Sequence, residues 1–169
     1  MTEVPSRSSP LAVIDLDGVI ADVRHRLHHL KAKPKDWDAF FAAARDDGAH
    51  PEGLAIVERL TKDHEILFLT GRPEHLRDDT VAWLDRHDLG GHRLVMRPRG
   101  DRRPAAVMKL ELLEDFARQQ PIGIVVDDDP AVLDAVRRAG HPVFVADWEA
   151  RTAESTRALR QAQEAEGRT

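Results

Sequence analysis

Five short apolar runs punctuate the chain: Leu11–Leu16, Glu65–Leu69, Arg93–Met96, Ile122–Val126 and Pro142–Val145. Each has the length of a strand rather than a helix, and their near-continuous apolar character predicts strands buried on both faces. Between them, apolar residues recur at helical spacing. Leu54, Val57 and Leu60 mark a helix over Pro51 to Lys62. Leu76, Thr80, Trp83, Leu84 and His87 share one face of the next, with Pro73 suited to its first turn. Val107, Leu110, Leu113 and Phe116 form a further stripe, and Val132, Leu133 and Val136 another that Gly140 closes. Strands alternating with helices predict an α/β fold with a parallel sheet between two helical layers. Ligands of such sheets sit beyond the carboxyl ends of the strands.

One segment breaks the alternation. Ala21 to His50 is too long for an ordinary connection and predicts a small insert of one or two short helices after the first strand. Residues 11–147 read as one domain. Residues 1–10 are polar, with Ser and Pro, and read as a loose leader; residues 148–169 are mostly polar and read as a C-terminal helix or tail.

Composition narrows the class. Of 169 residues, 41% are apolar and 33% charged, as in a globular protein with a real core. A net charge of −5 argues against a generally basic nucleic-acid coat, though not against a local basic patch. The absence of cysteine excludes disulfides and thiolate metal sites, in keeping with a cytoplasmic setting. No apolar run is long enough to span a membrane.

The chemistry concentrates where strands end. The first run delivers Asp15 and Asp17 into Gly18. Two carboxylates so close are costly unless a cation lies between them or one holds a proton. A hard metal such as Mg²⁺ takes carboxylate oxygens, and a protonated carboxyl serves as a general acid. The second run ends in Thr70-Gly71-Arg72, a hydroxyl, a backbone N–H beside glycine and a guanidinium, all phosphate-binding groups. The fourth ends in Asp127-Asp128-Asp129, of which Asp129 also suits the N-cap of the helix starting at Pro130. Lys109 falls in the first turn of the Val107–Phe116 stripe and points a cation at the same rim.

Asp15-x-Asp17-Gly18, Thr70-Gly71-Arg72, Lys109 and Asp127-Asp128 resemble, in order, the four motifs of the haloacid dehalogenase superfamily. Within it the chain is similar to the phosphatase domain of phage-type polynucleotide kinase/phosphatases, on His25-Arg26-Leu27-His28, Lys35 to Phe41, Phe68 to Glu74 and Leu94 to Arg102. The resemblance implies a Rossmann-like three-layer fold with a small cap and a Mg²⁺-dependent phosphomonoesterase. It assigns Asp15 as the nucleophile that forms an aspartyl-phosphate and Asp17 as general acid–base. Thr70 and Gly71 would orient the phosphoryl oxygens, and Lys109 would neutralise developing charge. Asp15, Asp17 (through its backbone carbonyl), Asp127 and Asp128 would hold the metal or its waters.

A small cap implies an open cleft that admits a polymer end, and the resemblance implies that the substrates are 3′-phosphorylated nucleic-acid ends or nucleotides. Arginines crowd the expected rim: Arg24, Arg26, Arg72, Arg77, Arg97, Arg99, Arg102 and Arg103. With Gly71, the substrate contacts expected are Arg26, Arg72, Arg97 and Arg102. Trp37, Phe40 and Phe41 offer either a face for base stacking or ordinary packing of the insert. His25, His28 and His29 have no evident carboxylate support and read as part of the cap rather than a zinc site. No Gly-x-x-x-x-Gly-Lys-[Ser/Thr] loop occurs, so ATP use is not expected, and a kinase partner would be a separate chain. The alternative is a small-molecule nucleotidase or sugar phosphatase. A receiver domain fits poorly, because its phospho-accepting Asp lies mid-chain and its Lys follows the Thr near the end. An inactive phosphate-binding module fits poorly too, since every expected catalytic group is present.

Overall fold

The computed structural model describes residues 9–31 and 33–149. In chain order the elements are β1 (Leu11–Ile14), β2 (Ala21–Asp22), α1 (His28–Lys31), α2 (Trp37–Ala42), β3 (Gly48–Ala49), α3 (Pro51–Leu60), β4 (Glu65–Pro73), α4 (Arg77–Arg86), β5 (Arg93–Arg97), α5 (Ala105–Ala117), β6 (Ile122–Asp127), α6 (Pro130–Arg138) and β7 (Val143–Val145). All five expected strands form one parallel sheet in the order β5-β4-β1-β6-β7. The chain winds outward from β1 through β4 to β5, then returns to build β6 and β7 on the other side. That reversal opens a crevice at the carboxyl end of β1.

β1 is buried on both faces, and successive side chains enter different cores. Ala12 and Ile14 meet Ile66, Phe68 and Val126 beneath Ile56 and Val57 of α3 and Trp83 and Leu84 of α4. Leu11 and Val13 meet Leu67, Leu69 and Val125 beneath Leu113 of α5 and Val132 and Val136 of α6. The expected three-layer α/β architecture is therefore present. Each fully buried aliphatic side chain contributes about 1.5–3 kcal/mol, so this central strand anchors both layers.

The insert is closed at its base by β2 and β3, paired antiparallel. Between them lie α1, α2 and two 3₁₀ turns at Arg24–Arg26 and Ala43–Asp46. Asp36 caps α2, its Oδ1 accepting from Ala39 N at 2.9 Å. Val23, Leu27, Leu30, Trp37, Phe40 and Phe41 make a separate small core.

Several boundaries differ from the sequence reading. Pro73 does not start a helix. β4 continues through Thr70, Gly71 and Arg72 to Pro73, and a short 3₁₀ turn at Glu74–Leu76 precedes α4. The ladder with β5 loses register between Leu69 and Pro73, an irregularity that re-aims this segment. α5 begins at Ala105, directly after Pro104, so Lys109 lies in its second turn rather than its first. The helix is rotated accordingly: Val107 is exposed, while Met108 and Lys109 are buried. Ser9, Pro10, Trp148 and Glu149, expected in the flanking segments, contact the body. Ser9 O accepts from Gln120, and Pro10 O from Glu65 N. Trp148 donates to Val19 O at 2.9 Å, and Glu149 is buried. The rest of the expected leader and tail, residues 1–8 and 150–169, lie outside the described residues.

Candidate active site

β1 ends at Ile14, and Asp15 N continues its ladder by donating to Val126 O at 3.0 Å. Because Ile14 pairs with both Phe68 and Val126, Asp15 is level with Leu69 of β4 on one side and with Asp127 on the other. The chain then turns sharply: the amides of Val19, Ile20 and Ala21 all donate to Leu16 O. Gly18 sits in this turn at φ +80°, and a Cβ there would lie 2.4 Å from Asp128 Oδ2. Only glycine both adopts this backbone and leaves room for that carboxylate.

Four residues distant in sequence meet in the crevice. Lys109 Nζ lies 3.0 Å from Asp15 Oδ2 and 2.8 Å from Asp127 Oδ2. Carboxylate oxygens of Asp15, Asp127 and Asp128 all lie within 4.8 Å of one another. Asp15 Oδ1 and Asp128 Oδ1 are buried without a hydrogen-bond partner. Three carboxylates facing one ammonium, with orphaned oxygens aimed inward, fit a hard divalent cation, since anionic oxygen donors are the set such ions take.

The charges are perturbed accordingly. Burial, then the neighbouring Asp127 and Asp17, outweighs Lys109 and pushes the Asp15 carboxyl up to about 7. Burial, reinforced by Asp127 and Asp15, raises Asp128 well above the usual range. Burial alone would lower Lys109, but Asp127 and Asp15 reverse this and hold it charged. Asp129 caps α6, accepting from Ala131 N at 2.8 Å, as expected.

Asp17 faces the other way, into a buried cluster. Its Oδ1 accepts from Arg26 Nη2 at 2.8 Å and from Arg72 Nε and Nη2 at 2.8 and 2.6 Å. Both guanidiniums also donate to Asp47: Arg26 through Nε and Nη2 at 2.8 and 2.7 Å, Arg72 through Nη2 at 2.8 Å. Burial would raise Asp17, but Arg26 and Arg72 outweigh it and keep the carboxyl below its usual range. At Asp47 burial prevails over the same arginines and the carboxyl is raised. Arg26 is further held by the ring of Phe40, 4.2 Å below its guanidinium carbon.

The sequence reading set Arg26 and Arg72 on an open rim for substrate. They are instead fully buried, because each fork is matched to two carboxylates. Arg97 also turns inward, donating to Gly71 O at 3.3 Å and Arg103 O at 2.9 Å. Asp101 ties Arg103 at 2.7 Å and approaches Arg97 at 3.8 Å. Arg102 and Arg99 remain exposed. Thr70 is buried, its Oγ1 accepting from Arg72 N at 3.2 Å, which fixes the hydroxyl beside Gly71. Phe40 is fully enclosed, so it belongs to the insert's core. His25 contacts Asp47 Oδ1 at 2.8 Å, and His28 bonds His25 O at 2.9 Å.

Sequence reasoning missed Asp47, which sits among ordinary polar residues before Gly48. Its one local signal is a polar residue next to the antiparallel ribbon that returns the insert to the body.

Residues 10–148 match the family described as the polynucleotide kinase PNKP phosphatase domain. The fold and the four converging motifs define a haloacid dehalogenase-like phosphatase. More narrowly, the chain belongs to the PNKP phosphatase-domain family. A protein of Autographa californica nuclear polyhedrosis virus described as a bifunctional polynucleotide kinase/RNA ligase is 30% identical over 129 residues, covering 73% of this chain and 17% of that one. A chain of the Pnkp1/Rnl/Hen1 RNA repair complex superposes with a TM-score of 0.66 at 22% identity, over 86% of this chain and 46% of that one. A haloacid dehalogenase-like hydrolase from Streptococcus pneumoniae gives 0.58 at 12% identity, over 82% and 84%. The chain thus spans less than half of the first two relatives and most of the third.

Proposed function

We propose that this chain is a phosphomonoesterase that removes the terminal 3′-phosphate from nucleic acid through an aspartyl-phosphate on Asp15. The observation that carries the reading is Asp15 itself, buried at the tip of β1 against Lys109 and beside two further carboxylates. Family membership and the small size of the insert support the substrate class.

Asp15, Asp127 and Asp128, with the backbone carbonyl of Asp17, would hold Mg²⁺, which would offset repulsion between an anionic nucleophile and an anionic phosphoester. In the first step an Asp15 oxygen bonds to phosphorus as the P–O bond to the 3′-oxygen breaks, and Asp17 gives that oxygen its proton. In the second, Asp17 takes a proton from water, the water oxygen bonds to phosphorus, and the Asp15–phosphorus bond breaks. Asp17 is ionised between two arginines in the free site. The arriving phosphate, a like charge, raises its proton affinity, so that it takes up a proton from solvent as substrate binds and carries that proton into the first step. Thr70 and the Gly71 N–H orient the phosphoryl oxygens. Lys109 offsets charge on Asp15 and the transferring group, the stabilisation that dominates phosphoryl transfer.

Incubation with 3′- and 5′-phosphorylated oligonucleotides, with and without Mg²⁺, tests this. Metal-dependent phosphate release from the 3′-ends is expected. Release from 5′-mononucleotides alone would reassign the chain as a small-molecule nucleotidase.

Because the Asp15 carboxyl is raised to about 7, protons compete with metal near neutrality. Mg²⁺ affinity measured by calorimetry is therefore expected to weaken from pH 8 to pH 6, by up to about tenfold per unit below pH 7. Lys109→Met gives a paired outcome: turnover falls roughly 10²–10³-fold, while Mg²⁺ binds more tightly because the competing cation is gone. Parallel kinetics and calorimetry on that variant separate the two effects.

A further inference from the structure

A cleft of about 200 Å³ opens between the insert and the loop that follows β5. Trp37 and Phe41 of α2 form one wall; Pro73 and residues 97–102 form the other, with His75 at the edge. The volume is below the roughly 300–1,000 Å³ of pockets that enclose a drug-sized ligand, so it suits one planar ring system rather than a whole nucleotide. The aromatic wall is closely packed. Trp37 and Phe41 stack at 5.7 Å and 26°, and Phe40 packs edge-on against both.

The electrostatics favour a polyanion carrying such a ring. Arg99 and Arg102 are exposed at the mouth. Asp101 is already engaged by Arg103, which leaves Asp38 as the other acidic side chain in the lining. The cleft also adjoins the phosphate-orienting segment. Arg97, in its wall, donates to Gly71 O at 3.3 Å. Pro73 follows Gly71 by two residues, within about 7 Å along extended chain.

We propose that this cleft receives the base of the nucleotide that bears the scissile phosphate, an assignment that rests on the 3′-phosphatase reading above. Apolar edges on one side and a guanidinium and imidazole on the other accept the face of any base, so recognition is sequence-tolerant. Arg102 and His75 supply that second side, and Arg99 meets the next phosphodiester.

The test compares kcat/KM on 3′-phosphorylated oligonucleotides that carry an abasic residue at the terminal or the fourth position. The terminal lesion is expected to cost at least about tenfold, and the fourth-position lesion nothing measurable. Equal values for intact and terminally abasic ends overturn the subsite. Arg102→Ala and His75→Ala are expected to shrink the intact-to-abasic ratio, a quantity that a partial folding defect does not move. An unchanged ratio in both variants overturns the role of those side chains. Hydrolysis of a small aryl phosphate with no release from any oligonucleotide end removes the nucleic-acid reading, and the subsite with it. Release from oligonucleotides without base dependence removes the subsite alone.

Discussion

Asp15→Asn is expected to lower turnover by roughly 10⁴–10⁶-fold while leaving the fold intact, because it deletes the attacking atom rather than a helper. The variant also makes a thermodynamic prediction of opposite sign. In the metal-free protein the Asp15 carboxyl is raised from 3.8 to about 7, so the folded state binds its proton more tightly than the unfolded state. Stability from this group is full below about pH 4, declines as pH rises through 7, and is absent above. Asparagine cannot ionise and avoids that loss. Metal-free Asp15→Asn should therefore melt roughly 5–10 °C above the parent protein at pH 8 and close to it at pH 4. Mg²⁺ should raise the melting temperature of the parent more than that of the variant. Kinetics on a generic aryl phosphate and thermal scans at the two pH values check both halves. Undiminished turnover in the variant would remove Asp15 as nucleophile and the mechanism with it.

What the chain discloses before folding depends on how locally each feature is encoded. The five strands were legible because a central parallel strand must be apolar on both faces, as Leu11 to Ile14 are. The acidic and phosphate-binding motifs were legible because each is a run of adjacent residues at a strand end. Boundaries set by polar residues were not. Thr70-Gly71-Arg72-Pro73 reads as a turn, yet it remains in β4 because the ladder to β5 resumes at Pro73 and Arg97. The start of α5 was hidden because Ala105 and Ala106 carry little apolar signal, although Ala105 is buried. The largest miss was electrostatic. Arginine is usually exposed, so Arg26 and Arg72 read as rim residues, and an aspartate in a polar stretch reads as solvated. Asp47 joins Arg26 and Arg72 across 21 and 25 residues, and no local pattern specifies that meeting.

That cluster carries the second large effect. Asp47→Asn is expected to destabilise the protein by about 3–5 kcal/mol, lowering the melting temperature by roughly 6–20 °C. The loss is one of acceptors more than of charge, since burial already raises the Asp47 carboxyl. Asp47 Oδ1 accepts from Arg26 Nε and Oδ2 from Nη2 of both arginines, so the amide sets a donor against donors wherever its nitrogen points. Both guanidiniums are then left to Asp17. Their pull holds its proton affinity lower still, so less of Asp17 carries the proton that the leaving oxygen needs. Turnover of 3′-phosphorylated ends should fall roughly 10²–10³-fold, within the range of general acid–base contributions. An aryl phosphate with an acidic leaving group needs little protonation and should lose far less. The ratio of the two rates thus separates a defect in proton transfer from a loss of folded enzyme, because misfolding lowers both equally. Equal losses would reduce Asp47 to a structural anchor, whereas a selective loss on the alkoxide leaving group ties this buried pair of arginines to the state of Asp17.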